Sequence, residues 1–80
     1  MWFVYALENL DKNFLYVGYS KNLKRRLKEH SDGKTQSTKA YRPFNLCAYV
    51  GVTTEPKAKR LEKYFKTGSG KTILNKRIIQ

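Results

Sequence analysis

The sequence predicts a small α/β domain, a three-stranded and mainly antiparallel sheet flanked by helices in the order ββαβαα. Three observations predict it. Two short runs rich in aromatic and β-branched residues, 3–8 and 14–18, flank a polar turn. Two later stretches place apolar residues three and four positions apart behind capping signals. A third alternating run, 44–52, lies between those two, so helices and a strand follow the opening hairpin.

Residues 3–8 form the first strand and 14–18 the second, and 9–13, polar apart from Leu10, supply the turn. Centring that turn on Leu10-Asp11 sets Tyr5 opposite Tyr16, with both phenols on one face of the pair. A one-residue slip would part them across the sheet. Ser20 is the expected N-cap of the first helix, which runs to about Ser31 and ends at Asp32-Gly33. Residues 33–43 are a polar, basic loop without periodicity. In the third strand, Leu46, Ala48 and Val50 alternate against Cys47, Tyr49 and Gly51. Thr53-Thr54-Glu55-Pro56 starts the second helix, with Thr as cap, an acid at the positive end of the dipole and Pro in the first turn. It continues to Lys66 or Thr67. Gly68-Ser69-Gly70 breaks it, and 71–79 form a short last helix with Ile73, Leu74, Arg77 and Ile78 at helical spacing.

Eighty residues are expected to make one domain with a small core. Seventeen Lys and Arg face six Asp and Glu, a formal charge of +11. A field of that size attracts polyanions, so nucleic acid is the expected partner. A membrane is not, because no basic helix has an exposed apolar face and no apolar run nears the ~20 residues of a span. Residues 1–5 lack a secretory pattern, and the lone Cys47 in an apolar run reads as a core thiol. Both point to the reducing cytoplasm.

The helix faces single out three polar residues. Leu23 and Leu27 must pack on the sheet, and Arg26 and His30 fall at the same spacings, whereas Arg25 falls on the opposite side. A snorkelling arginine and a histidine favouring the helix dipole are the structural alternatives. On the second helix Ala58, Leu61 and Phe65 mark the buried stripe, and Glu62 lies within it. A carboxylate there needs a salt bridge or a metal. Glu8, Asp11, Glu29 and Asp32 read as solvated surface or turn residues.

Five blocks then stand in order: Phe3-Val4-Tyr5, Tyr16-Val17-Gly18, the helix Leu23-Lys24-Arg25-Arg26-Leu27-Lys28-Glu29-His30, Thr38-Lys39-Ala40-Tyr41-Arg42-Pro43 and Ala58-Lys59-Arg60-Leu61-Glu62. From about Phe3 to Arg77 the chain resembles the GIY-YIG nuclease family. It looks most like the small stand-alone members and the nuclease domain of the bacterial excision-repair incision subunit. The resemblance implies an endonuclease using one divalent metal held by the helix glutamate, here Glu62, with Arg26 as the catalytic arginine. Asn75 is the candidate for an asparagine that supports the site in many members. Phe3 departs from the glycine of the first motif, as is common in the small stand-alone members.

Phosphodiester hydrolysis needs an activated water, a neutralised phosphate and a stabilised leaving oxygen. Arg26 suits the phosphate, because a guanidinium matches two of its oxygens and stays charged. Glu62 suits a single hard cation, Mg2+ or Mn2+, and with one inward carboxylate a two-metal site is not expected. Tyr5 and Tyr16 share the base role. A phenol near pKa 10 is a poor base, but Arg26, lysines and a metal are expected to lower it, and His30 to accept or relay the proton. Core aromatics are the structural alternative for both tyrosines.

Lys34, Lys39 and Arg42, with Tyr41, form a lip for backbone phosphates, and Lys66 and Lys71 extend the basic surface. Phosphate contacts carry no sequence readout, so specificity should be low and shape or a partner protein would have to aim the cut. The expected function is metal-dependent endonuclease cleavage of DNA, structure-specific by family analogy, in repair or recombination. The alternative is a non-catalytic basic module that keeps the fold and binds DNA or RNA. Gly68-Ser69-Gly70-Lys71-Thr72 mimics a phosphate-binding loop, but Phe65 stands where that pattern requires glycine.

Overall fold

The computed structural model of the protein describes residues 1–9, 14–36, 38–68 and 70. β1 (Trp2–Asn9) pairs antiparallel with β2 (Phe14–Ser20) on one side and with β3 (Asn45–Val52) on the other, giving the order β2-β1-β3. β1 is therefore central and covered on both faces. That is why Val4, Tyr5, Ala6 and Leu7 form an unbroken buried run rather than an alternating one.

The hairpin register differs from the expected one. Tyr5 pairs with Gly18 and Leu7 with Tyr16, two residues from the predicted pairing. Both strands run further than predicted, so the register centres beyond Leu10-Asp11, within residues 10–13, which lie outside the described ones. A shift of two keeps side-chain parity, so Tyr5 and Tyr16 still share a face, as diagonal neighbours. On the other side a bulge changes faces. Ala6 pairs with Ala48 but Leu7 with Leu46, which leaves Cys47 as the extra residue. Leu46 thereby joins Tyr49 on the Tyr5 face. Cys47 joins Ala48 on the other, correcting the simple alternation expected for this strand.

α1 (Leu23–Ser31) covers the Tyr5 face. Its N-cap is Asn22, whose Oδ1 accepts the Arg25 N–H at 3.1 Å, and not Ser20. Ser20 remains in β2 and its hydroxyl accepts the Asn22 N–H instead. Asp32 closes the helix and Gly33 follows at φ +76°, a left-handed turn that glycine adopts without strain. The basic loop after it holds a short 3-10 turn, Lys39–Tyr41. Asn9 ties this turn to the sheet by donating to the Tyr41 carbonyl at 2.8 Å, and Phe14 stacks on the Tyr41 ring at 4.0 Å.

α2 (Glu55–Phe65) covers the opposite face, capped by the Thr54 hydroxyl with Pro in its first turn. Ala58 and Phe65 close the larger core with Val4, Ala6 and Val17. Burying side chains such as Phe65 supplies roughly 1.5–3 kcal/mol each. Gly68 and Gly70 have helical backbone, and the Gly70 N–H bonds to the Thr67 hydroxyl, so these glycines start a new turn as well as ending α2. The expected helix over 71–79, with Lys71 and Asn75, lies outside the described residues.

Candidate active site

Tyr5 is the centre of the site because β1 is the central strand. Its side chain is 1% exposed. The phenol lies across β2 where that strand carries Gly18: a Cβ there would stand 2.7 Å from the Tyr5 hydroxyl and 2.9 Å from the Tyr16 ring. The glycine of the second motif is thus a gap filled by the two tyrosines, whose ring centroids are 6.3 Å apart.

The Tyr5 hydroxyl meets His30 Nε2 at 2.8 Å, and His30 Nδ1 meets the Thr38 hydroxyl at 2.8 Å. His30 and Thr38 are buried at 1% and 0% exposure. Thr38 also donates to the Thr35 carbonyl at 3.4 Å. A hydroxyl has one proton, so with it aimed at Thr35 the Thr38 oxygen accepts from His30 Nδ1–H, and Nε2 is free to accept from Tyr5. The assigned chain of donors therefore runs Tyr5 to His30 to Thr38 to Thr35.

The pKa shifts agree with that direction. Burial, opposed by the Arg26 guanidinium, pushes the Tyr5 phenol up to about 12. Burial, reinforced by Arg26, pulls the His30 imidazole below its ordinary value. Both groups are neutral near pH 7. Arg26 favours the phenolate, as expected, but among the protein groups alone desolvation outweighs it.

Arg26 leaves α1 on the flank next to the tyrosines. Burial pulls its guanidinium down, but Glu29, Tyr5 and Tyr16 together outweigh it, and it stays charged. Its Nη1 donates to Glu29 at 3.0 Å, so Glu29 is not the freely solvated residue expected; Arg26 holds its carboxyl below the usual range. Both side chains are about one-third exposed, so the pair adds little stability and can yield to a phosphate. Arg25 is exposed, as the helix phase required.

Glu62 lies on α2 with 18% of its side chain exposed and pairs with Lys66 at 3.4 Å. The Lys66 ammonium is 5.9 Å from the Tyr16 ring centroid, and the Glu62 charge acts on Tyr5. The end of α2 thus reaches past the β2 edge to the tyrosine face. Lys66 is half-exposed, on the surface as expected, and stands beside Glu62. Among the described residues no three His, Cys, Asp or Glu side chains gather into a metal cage. One largely buried carboxylate whose charge reaches Tyr5 fits an ion that keeps most of its shell as water and phosphate, the habit of Mg2+.

Tyr5, Tyr16, Arg26, His30 and Glu62 therefore come together. Lys34 and Lys39 are exposed on the loop behind His30. Arg42 is anchored, donating to the carbonyls of Lys39 and Ser31. Thr38 was missed because its loop has no periodicity, and only the folded loop brings it to His30. Burial raises the Cys47 thiol above its ordinary value, and the thiol donates to the Ala6 carbonyl. No helix among the described residues is long and apolar enough to cross a membrane.

The chain is similar to the UPF0213 protein of Bacillus velezensis, 42% identical over 55 residues, covering 68% of this chain and 56% of the relative. It is 37% identical over 65 residues to the UPF0213 protein YazA of Bacillus subtilis, covering 80% of this chain and 65% of YazA. A UPF0213 protein of Streptococcus pyogenes is 38% identical over 65 residues, 80% of this chain and 70% of its own. The chain thus spans less than two-thirds of the two Bacillus proteins. No solved structure matches. Residues 1–77 match the GIY-YIG catalytic domain, and with the tyrosines, arginine and glutamate of its motifs gathered at one site, the chain belongs to the GIY-YIG family.

Proposed function

We propose that the protein is a divalent-metal-dependent endonuclease that hydrolyses phosphodiester bonds in DNA. The observation that carries this reading is the buried Tyr5–His30 hydrogen bond, 2.8 Å long, beside the charged Arg26. A plain core would not desolvate a phenol and an imidazole next to a guanidinium. In a GIY-YIG domain, whose family is one of endonucleases that generally depend on divalent metal, that arrangement suits cleavage.

Arg26 releases Glu29 and takes two phosphate oxygens, stabilising the charge that grows on them. Tyr5 removes a proton from the attacking water as its own proton passes to His30 Nε2. His30 is then cationic, held by Thr38 at Nδ1, and its depressed pKa favours prompt return of the proton to the Tyr5 hydroxyl, which passes its own to the leaving oxygen or to solvent. Tyr16 borders the same space and orients the water with Tyr5. Glu62 would hold the ion after exchanging Lys66 for it, and the bound ion would neutralise phosphate charge and stabilise the leaving oxygen.

The +11 charge favours a second reading, a binding module that does not cut. Incubation of the protein with duplex, branched and single-stranded DNA and with RNA, with and without Mg2+ or Mn2+, separates the two. Wild type should cut DNA only with metal. Glu62→Gln should bind as before and lose cleavage by at least about 10²-fold. Cleavage by this variant at the wild-type rate would remove Glu62 from the reaction, and no cutting of any substrate by wild type would leave the binding module.

A further inference from the structure

A second groove lies on the other flank of α1. It has a volume of about 790 Å³ and runs between the start of α1 and β3. Its apolar walls are Phe3, Leu27 and Tyr49, and its rim carries Lys21, Lys24 and Arg25. Tyr49 is 58% exposed, and the Phe3 ring packs against it at 67° with centroids 6.1 Å apart. The proposed reaction uses none of these side chains.

The groove shares the sheet face of Tyr5, whose partner on β3 is Tyr49, but it lies on the flank of α1 away from Arg26. Lys24 and Arg26 are about 160° apart around α1, so they leave the helix on opposite flanks, about 10–12 Å from each other across its width. In the sheet, Tyr49 is on β3 and Tyr16 on β2, the two outer strands, roughly 10 Å apart. The start of α1 stands between the two places, with cations on the groove side.

From this arrangement we infer that the groove between α1 and β3 binds an unpaired DNA strand, one base stacked on Tyr49 and its phosphates on Lys21, Lys24 and Arg25. An exposed aromatic ring in a cationic channel is what a single strand uses: stacking needs an exposed base face, and every base has one. A duplex offers only edges and phosphates there, since its base faces are stacked on one another. An acidic protein would use the cations but has no need of the ring. The inference rests on the nuclease reading only in taking DNA as the ligand. It adds the substrate feature that this reading lacks, an unpaired strand held on the flank of α1 away from Arg26.

The test is binding without metal, so that cutting plays no part. A labelled ten-nucleotide thymidine strand and a duplex of equal length are titrated in EDTA and followed by fluorescence anisotropy, after thermal melts show that each variant is folded. Tyr49→Ala should weaken single-strand binding roughly 5- to 150-fold and duplex binding by less than about two-fold. Tyr49→Phe should restore it. Lys24→Ala should lower the salt slope for the single strand by about 0.7, as the loss of one phosphate contact does. Equal weakening of both ligands by Tyr49→Ala, no weakening of either, or an unchanged salt slope in Lys24→Ala would overturn the assignment. Failure of wild type to cut DNA with Mg2+ would leave these measurements intact, so the two readings fail separately.

Discussion

Substituting Gly18 by Ala tests the site with a single methyl group. The added Cβ would stand 2.7 Å from the Tyr5 hydroxyl, and 2.9 Å from Tyr5 Cζ and from Tyr16 Cε2. To regain 3.4 Å, the near edge of ordinary contact, the Tyr5 phenol must retreat by about 0.7 Å and the Tyr16 ring by about 0.5 Å. Neither ring can do so freely. Tyr5 is buried and hydrogen-bonded to His30, and Tyr16 lies under Lys66. Overpacking of this kind costs about 1–3 kcal/mol. For a chain of this size each kcal/mol lowers Tm by roughly 4–8 °C. Misplacement approaching 1 Å in a reacting group costs about 10²-fold in rate, so activity should fall further than stability. The assay pairs single-turnover cleavage with Mg2+ at 20 °C or so with a thermal melt of the same sample. Gly68→Ala is the control, since its Cβ meets nothing within 4 Å. A folded Gly18→Ala variant cutting within about three-fold of wild type would refute the claim that this gap places the tyrosines for chemistry.

Three other outcomes are expected. Arg26→Ala should lower cleavage by about 10²–10³-fold, whereas Arg25→Ala should change it little while weakening DNA binding; equal losses would put the wrong arginine in the site. Thr38→Val leaves His30 Nδ1–H buried without its acceptor and should destabilise the protein by about 1–3 kcal/mol in urea unfolding, with Thr38→Ser restoring it; an unchanged midpoint in Thr38→Val would break the relay as assigned. Because burial lowers the His30 pKa in the folded protein, the unfolded chain binds the extra proton once pH drops below about 6.5, and stability should fall from there with acidity. Urea midpoints between about pH 8 and pH 5 measure this, and a His30→Gln variant with the same pH slope would show that another group is responsible.

Local pattern determined much of this protein. The caps at Asp32-Gly33 and Thr54, the inward phase of Arg26 and His30 against the outward Arg25, and Glu62 beside the Ala58, Leu61 and Phe65 stripe all follow from periods of 3.6 and 2, which depend on neighbours in the chain. The shared face of Tyr5 and Tyr16 followed too, because a register error of two keeps parity even where the turn is misplaced. What only the tertiary structure decided depends on groups distant in sequence. The bulge at Cys47 turned Leu46 to the Tyr5 face, because pairing across strands, not alternation within one, sets where an extra residue falls. Thr38 came out of an aperiodic loop to fix the His30 tautomer because Asn9 and Phe14 dock that loop on the sheet. The rise of the Tyr5 phenol was also hidden from sequence: its charged neighbours could be counted along the chain, but the desolvation that outweighs them exists only once α1 covers the sheet.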